Sequence, residues 1–186
     1  MRIISGNFKG KQIVLPTTFH DRPTTDVAKE ALFNVLNNWF NFENIKVLDI
    51  FSGSGSISYE FASRGCLAID CVDNNKKYCD FIRKTFSTLY PVKPPSRVIN
   101  ADAFKFLGQS FLPYDVIFAD PPFDLEGIEN LPGIIFNNVK LNPEVVCIIE
   151  HSAGVKFTDI SSLIDVRRYG KVHFSFFSKS DYFKKK

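Results

Sequence analysis

Residues 46–73 read Lys46-Val47-Leu48-Asp49-Ile50-Phe51, then Ser52-Gly53-Ser54-Gly55-Ser56, then Ile57-Ser58-Tyr59-Glu60-Phe61-Ala62-Ser63-Arg64-Gly65, then Cys66 to Val72 ending in Asp73. The first run is short and apolar, as a strand buried on both faces is. The turn after it is built of small residues, and its glycines let backbone approach a ligand closely. The third piece reads as a helix stopped by Gly65, and the fourth as a second buried strand. Together they make one βαβ unit of about thirty residues. Asp73 falls at the tip of its second strand, where a carboxylate can take both hydroxyls of a ribose.

Downstream the alternation continues. Asn75 to about Leu89 reads as a helix, Pro91–Pro95 as a loop, Arg97–Asn100 as a strand, and Ala101-Asp102-Ala103 leads into a short helix through Leu107. Tyr114–Ala119 is a fourth strand and ends in Asp120-Pro121-Pro122-Phe123. Helix is expected from Gly127 to about Val139, with an irregularity at Pro132-Gly133. Glu144–Glu150 reads as a fifth buried strand, and Ile164–Tyr169 with Lys171–Ser178 as a closing strand pair around Gly170. Strands and helices in strict alternation imply a parallel sheet covered on both faces, with ligands at the carboxyl ends of its strands. Asp49, Gly53, Gly55, Asp73, Asp102 and Asp120 all fall at such ends.

Upstream, Ala28, Ala31, Leu32, Val35, Leu36 and Trp39 recur at helical spacing. Either Thr24 or Thr25 can cap that helix. Before it, Arg2–Ser5 and Lys11–Pro16 flank the turn Gly6–Gly10 and read as a β-hairpin bearing Arg2, Lys9 and Lys11. The expected organisation is a hairpin extension over residues 1–20 and one domain over 21–186.

The 186 residues are 45% hydrophobic and 23% charged, an ordinary globular balance, and twenty Phe supply much of the apolar volume. No apolar run reaches the roughly 18–20 residues of a membrane span, and the first residues lack the apolar stretch of a signal peptide. Cys66, Cys71, Cys79 and Cys147 show no C-x-x-C spacing and read as small core residues in a reducing cytoplasm. The scattered His20, His151 and His173 make no metal-ligand cluster. Residues 1–20 carry net +3 and residues 151–186 net +5, around a middle of −4 over residues 43–150. Basic ends suit a polyanion partner, and a solvated lysine tail accounts for part of the same pattern.

The turn reads D-x-F-S-G-S-G, with Ser58 in the place of a third glycine. A pyrophosphate fits poorly beside Asp49. S-adenosylmethionine, with a sulfonium, an ammonium and a ribose but no phosphate, fits better. Asp120-Pro121-Pro122-Phe123 adds a carboxylate, stiff backbone carbonyls and an aromatic ring. That set suits a planar group bearing an exocyclic NH2.

These residues place the chain beside a known family. It resembles the bacterial 16S rRNA guanine-N2 methyltransferases of the RsmD type over nearly its whole length. The resemblance is carried by Arg2–Gly6 with Gly10-Lys11, Arg22–Asp26 leading to Glu30–Asn34, Leu48–Gly55, Ser63–Gly65, Asp120–Phe123 and Tyr169-Gly170. Ser52 stands where the family usually has Ala, Ile57-Ser58 where a Leu-Gly pair is common, and Asp73 where Glu is commoner. The resemblance implies a Rossmann-like class I methyltransferase fold with a seven-stranded, mainly parallel sheet and an N-terminal hairpin that helps hold RNA. It further implies an enzyme that uses S-adenosylmethionine on 16S rRNA, in an assembled or assembling small ribosomal subunit; a cytoplasmic monomer is expected.

Site roles follow from it as expectations. Asp49, Phe51, Gly53, Ser54 and Gly55 line the methionine portion of the cofactor, Asp73 takes the ribose, and Asp102 with the Ala103 N–H faces the adenine. Asp120 and the Pro121 carbonyl accept from the target amine, with Pro122 stiffening the loop and Phe123 stacking on the base. Arg2, Lys9, Lys11, Arg22 and Thr24 face the RNA. The rivals are a DNA adenine-N6 methyltransferase, which usually carries a further target-recognition segment, and a protein-glutamine methyltransferase, which usually has Asn in place of Asp120. A nicotinamide oxidoreductase, which Ser58 argues against, and a non-catalytic RNA-binding module are the others.

Overall fold

The computed structural model describes residues 1–19, 24–109, 113–122, 124–137, 141–158 and 161–183. Five of its strands are parallel: β1 (Lys46–Ile50), β2 (Ala68–Asp73), β3 (Ser96–Asn100), β4 (Val116–Ala119) and β5 (Val146–His151). A terminal pair, β6 (Leu163–Tyr169) and β7 (Val172–Phe177), completes one sheet in the order β3-β2-β1-β4-β5-β7-β6. β7 lies antiparallel between β5 and β6. This is the expected Rossmann-like, mainly parallel seven-stranded sheet. The strand order reverses between β1 and β4, and the crevice at the carboxyl ends of those two strands is where such sheets bind ligands.

Strand alternation divides the core. Val47, Ile69, Phe118 and Ile148 face α1 (Asp26–Trp39), α2 (Ser56–Ser63) and α3 (Lys76–Leu89). Leu48, Ile50, Ile117 and Ile149 face α4 (Ala103–Gln109) and α5 (Leu131–Phe136). Both faces of β1, β4 and β5 are therefore buried, which is why these segments read as apolar runs, interrupted in β1 only by Asp49. All four cysteines are buried and free within this core. Among the described residues no helix is long and apolar enough to cross a membrane.

Two local expectations change. The helix anticipated from Gly127 is a 3₁₀ turn, Ile128–Asn130, followed by the six-residue α5. Pro132 sits in the first turn of α5 rather than interrupting a longer helix, a place where its missing N–H costs no intrahelical bond. Val139 lies outside the described residues. At the N-terminus the pairing is a single antiparallel bridge, Arg2 with Gln12. It is flanked by Ile3 N–H to Lys11 O (3.0 Å) and Ile13 N–H to Met1 O (2.9 Å). The ladder goes no further because later donors are engaged by α2. Ile4 and Ser5 donate to Glu60, at 2.7 and 3.0 Å, while Asn7 and Phe8 donate to Ser63. Gly6 is what allows this approach. Its φ is +80°, and a Cβ there would stand 1.9 Å from the Ser63 carbonyl oxygen. Ile3 and Ile13 then join the core of α1 and α2.

Candidate active site

The site is built on the turn after β1. Phe51 has φ +59°, the only positive value at a non-glycine among the described residues. A β-region strand cannot continue through that conformation, so β1 ends there and the chain folds back. Backbone of this kind costs about 1–3 kcal/mol and gathers at ligand sites. Ser52 fixes it, its hydroxyl donating to the Asp49 carbonyl at 2.6 Å and its N–H to the Val72 carbonyl at 3.1 Å. Gly55 has φ +83°, and a Cβ there would come within 2.8 Å of the Tyr59 ring. The turn is also tied to the next strand. Asp73 accepts from the Gly53 N–H at 2.9 Å and, with its other oxygen, from the Asn75 N–H at 2.7 Å.

Asp49, in β1, is 2% exposed and accepts from the Ser58 hydroxyl at 2.5 Å. Burial pushes its pKa up to about 7, the Ser58 bond opposes that, and the nearby Asp73 charge adds to it. Ser58 is thus more than a missing glycine: it is the hydrogen-bond donor for this carboxylate. A small cavity of about 50 Å³ opens here, lined by Thr24, Asp49, Phe118, Asp120 and by residues 51–54, 56 and 57 of the turn region. Asp120 is half-buried at the end of β4, Pro121 is buried, and the Pro122 carbonyl accepts from the Leu125 N–H at 3.0 Å. The lining holds two acids and no Lys or Arg. That donor set suits a sulfonium and an ammonium and has no cation to receive a pyrophosphate.

The two threonines before α1 have separate tasks. Thr25 caps the helix, accepting from the Ala28 N–H at 3.2 Å. Thr24, buried, donates to Glu150 at 2.8 Å. Glu150 ends the apolar run of β5 and is 5% exposed. Burial pushes its pKa up to about 7, and the Thr24 bond works the other way. Sequence reasoning passed over Glu150, although an acid closing an apolar strand is the same signal that singled out Asp73 and Asp120.

Other expected site residues lie apart from the cavity. Asp102 accepts from the Lys105 N–H at 2.9 Å and so caps α4, and the adjacent Ala103 is buried. Neither lines the cavity, but both follow β3, whose end is bound to Asp73 through Ala101 N–H to Asp73 O at 3.0 Å. Arg2 is engaged, its guanidinium 3.2 Å from Asp26, with both side chains partly exposed. Lys9 and Lys11 are exposed on the N-terminal turn, and the Lys11 ammonium stands 5.8 Å from the centre of the Phe8 ring. Arg22 and Phe123 lie outside the described residues.

Comparisons with known proteins agree with this geometry. The family model described as "Conserved hypothetical protein 95" matches residues 1–178. The ribosomal RNA small subunit methyltransferase D of Buchnera aphidicola is 34% identical over 153 residues, which are 81% of this chain and 75% of that one. Its namesake in Escherichia coli K12 is 31% identical over 150 residues, 81% of this chain and 74% of that protein. The solved structure of yhhF from Escherichia coli, named as a methyltransferase, superposes with a TM-score of 0.80 at 28% identity, covering 95% of this chain and 96% of its own. The chain therefore belongs to the conserved hypothetical protein 95 family, together with the small subunit rRNA methyltransferase D proteins.

Proposed function

We propose that this protein is an S-adenosylmethionine-dependent methyltransferase that modifies the exocyclic N2 amine of one guanine in 16S rRNA, within an assembled or assembling small ribosomal subunit. It would work as a monomer in the cytoplasm, with residues 1–20 as the RNA-holding extension of a methyltransferase domain over 21–186. One observation carries the reading: Asp49 and the glycine turn share a cavity with Asp120 at the reversal point of the sheet. Family membership supports the reaction, and the small-subunit rRNA named for the relatives supports the substrate.

We assign the binding roles from the chemistry of these groups. Asp73, already shaping the turn, takes the ribose hydroxyls. Asp49 and the turn residues Phe51, Gly53, Ser54 and Gly55 take the amino-acid end, and Asp102 with Ala103 takes the adenine. When bound, the cofactor supplies an electrophilic methyl group carried on a sulfonium. Asp120 accepts a hydrogen bond from the target amine, helped by the Pro121 carbonyl, with Pro122 holding the loop stiff and Phe123 beneath the base. An amine conjugated to a purine is a poor nucleophile, and two acceptors turn its lone pair toward the incoming carbon. The nitrogen gains positive charge as the bond forms, so the Asp120 carboxylate favours the transition state over the ground state. The methylated nitrogen is strongly acidic and loses its proton without a dedicated base. Lys9, Lys11, Arg2 and Arg22 hold the RNA, chiefly through phosphates, while Thr24, buried against Glu150, belongs to the cavity wall and not to the RNA contacts.

Incubating the protein with methyl-labelled cofactor and small-subunit particles lacking the modification tests this. Label in N2-methylguanosine is expected. Label confined to N6-methyladenine in added DNA, or no transfer to either, would contradict it.

A further inference from the structure

A buried lysine stands behind the cavity wall. Lys29, on α1, is 1% exposed. Its ammonium donates to the Arg2 carbonyl at 2.7 Å and to the Ser56 hydroxyl oxygen at 3.2 Å. Ser56 opens α2 and lines the cavity. Nearby charges are already matched: Arg64 with Glu60 at 2.9 Å, and Arg2 with Asp26 at 3.2 Å. Lys29 forms no ion pair among the described residues. Burial draws its pKa below the ordinary lysine value, against the attraction of Glu60 and Asp26. An apolar side chain of similar length would fill the space without dehydrating an ammonium, so a cation kept here calls for a function.

The layout of the cavity supplies one. Asp73 receives the ribose, and the sulfonium must stand near Asp120 for the methyl group to reach the amine. The amino-acid end is then left beside Asp49, Ser54 and Ser56. That end is a zwitterion. Asp49 offers the negative charge its ammonium needs, and Lys29 the positive charge its carboxylate needs. The Ser56 oxygen accepts from Lys29, which leaves the hydroxyl proton to donate into the cavity.

We propose that Lys29 is a positioning residue for the carboxylate of the cofactor's amino-acid end, acting through Ser56 and setting charge behind it. The proposal rests on the cavity being the S-adenosylmethionine site.

The test compares two ligands by calorimetry: S-adenosylhomocysteine and 5′-methylthioadenosine, which keeps the nucleoside and sulfur but has no amino-acid end. Lys29→Met should weaken S-adenosylhomocysteine about tenfold or more, the size expected for losing a charge-assisted bond. It should leave methylthioadenosine within about twofold of wild type, since the groups that meet it are untouched. Lys29→Arg should recover most of the loss. Ser56→Ala, which keeps the buried charge and fold, should show the same ligand-selective weakening. Equal loss of both ligands, or S-adenosylhomocysteine binding within about twofold of wild type in Lys29→Met and Ser56→Ala, would overturn the proposal. Failure of the wild-type protein to bind S-adenosylhomocysteine would instead remove the cofactor assignment beneath it.

Discussion

Replacing Asp73 with alanine should strike the turn and, with the ribose placed as proposed, the cofactor together. Its carboxylate accepts from the Gly53 N–H at 2.9 Å and the Asn75 N–H at 2.7 Å. Hydrogen bonds to a charged acceptor contribute about 1.5–3 kcal/mol each when no water replaces them. Asp73 is only half-buried, so water can reach the freed N–H groups. The combined stability loss should therefore be about 1–3 kcal/mol, or roughly 2–10 °C in melting temperature for a chain of this size. Removing the hydrogen bonds proposed to the ribose should weaken S-adenosylhomocysteine by a further 1–3 kcal/mol or so, about 5- to 150-fold in Kd. Asp73→Asn separates the two effects. An amide keeps one acceptor but turns its NH2 toward the other backbone N–H, so it should recover part of the stability and little of the affinity. Titration calorimetry at a temperature where every variant is folded, beside thermal melts, reads both quantities. A lowered melting temperature with unchanged affinity would make Asp73 a turn clamp alone and remove it from the ribose site.

Asp120→Ala should lower single-turnover methyl transfer by about 10²–10³ while cofactor and RNA still bind; a rate within about threefold of wild type would mean Asp120 merely closes the loop after β4. Lys9→Ala with Lys11→Ala should weaken RNA binding and flatten its salt dependence by about one unit of slope for each phosphate no longer neutralised, with cofactor affinity unchanged; an unmoved slope would leave this segment a structural role only. Asp49, near pKa 7 through burial, must be ionised to face an ammonium. Cofactor affinity should therefore rise between about pH 6 and 8, and binding near pH 7 should release part of a proton. Asp49→Asn should abolish that dependence, whereas persistence of the pH profile in the variant would assign it elsewhere. The raised pKa values of Asp49 and Glu150 also favour the protonated carboxyls in the folded state. Stability of the free protein should accordingly fall as pH rises from about 4 to about 7 and level off above.

The sheet was legible because β1, β4 and β5 are buried on both faces and so leave apolar runs, broken in β1 only by Asp49, each bounded by an acid or a small-residue turn. The positions of Asp49, Gly53, Asp73 and Asp120 at strand ends followed from that alternation. What stayed hidden depends on partners far along the chain. Thr24 and Thr25 are equivalent as caps until Glu150, 126 positions away, claims Thr24. Ser58 looked like a departure from a glycine pattern until Asp49 was seen to need a donor. Nothing in the local sequence marks Lys29, which is buried because residues 1–13 cover that side of α1. The start of α5 was misplaced because a proline in a helical run reads as a break when the first turn cannot be located.

In the function proposed above, this chain places one methyl group on a guanine N2 in small-subunit rRNA. Nucleoside mass spectrometry of that rRNA, from a strain lacking the protein and from the same strain supplied with it, measures this most directly. One N2-methylguanosine should disappear with the protein, return with the wild-type chain, and not return with Asp120→Ala. An unchanged N2-methylguanosine content in the deleted strain, or loss of a different modified nucleoside, would contradict it.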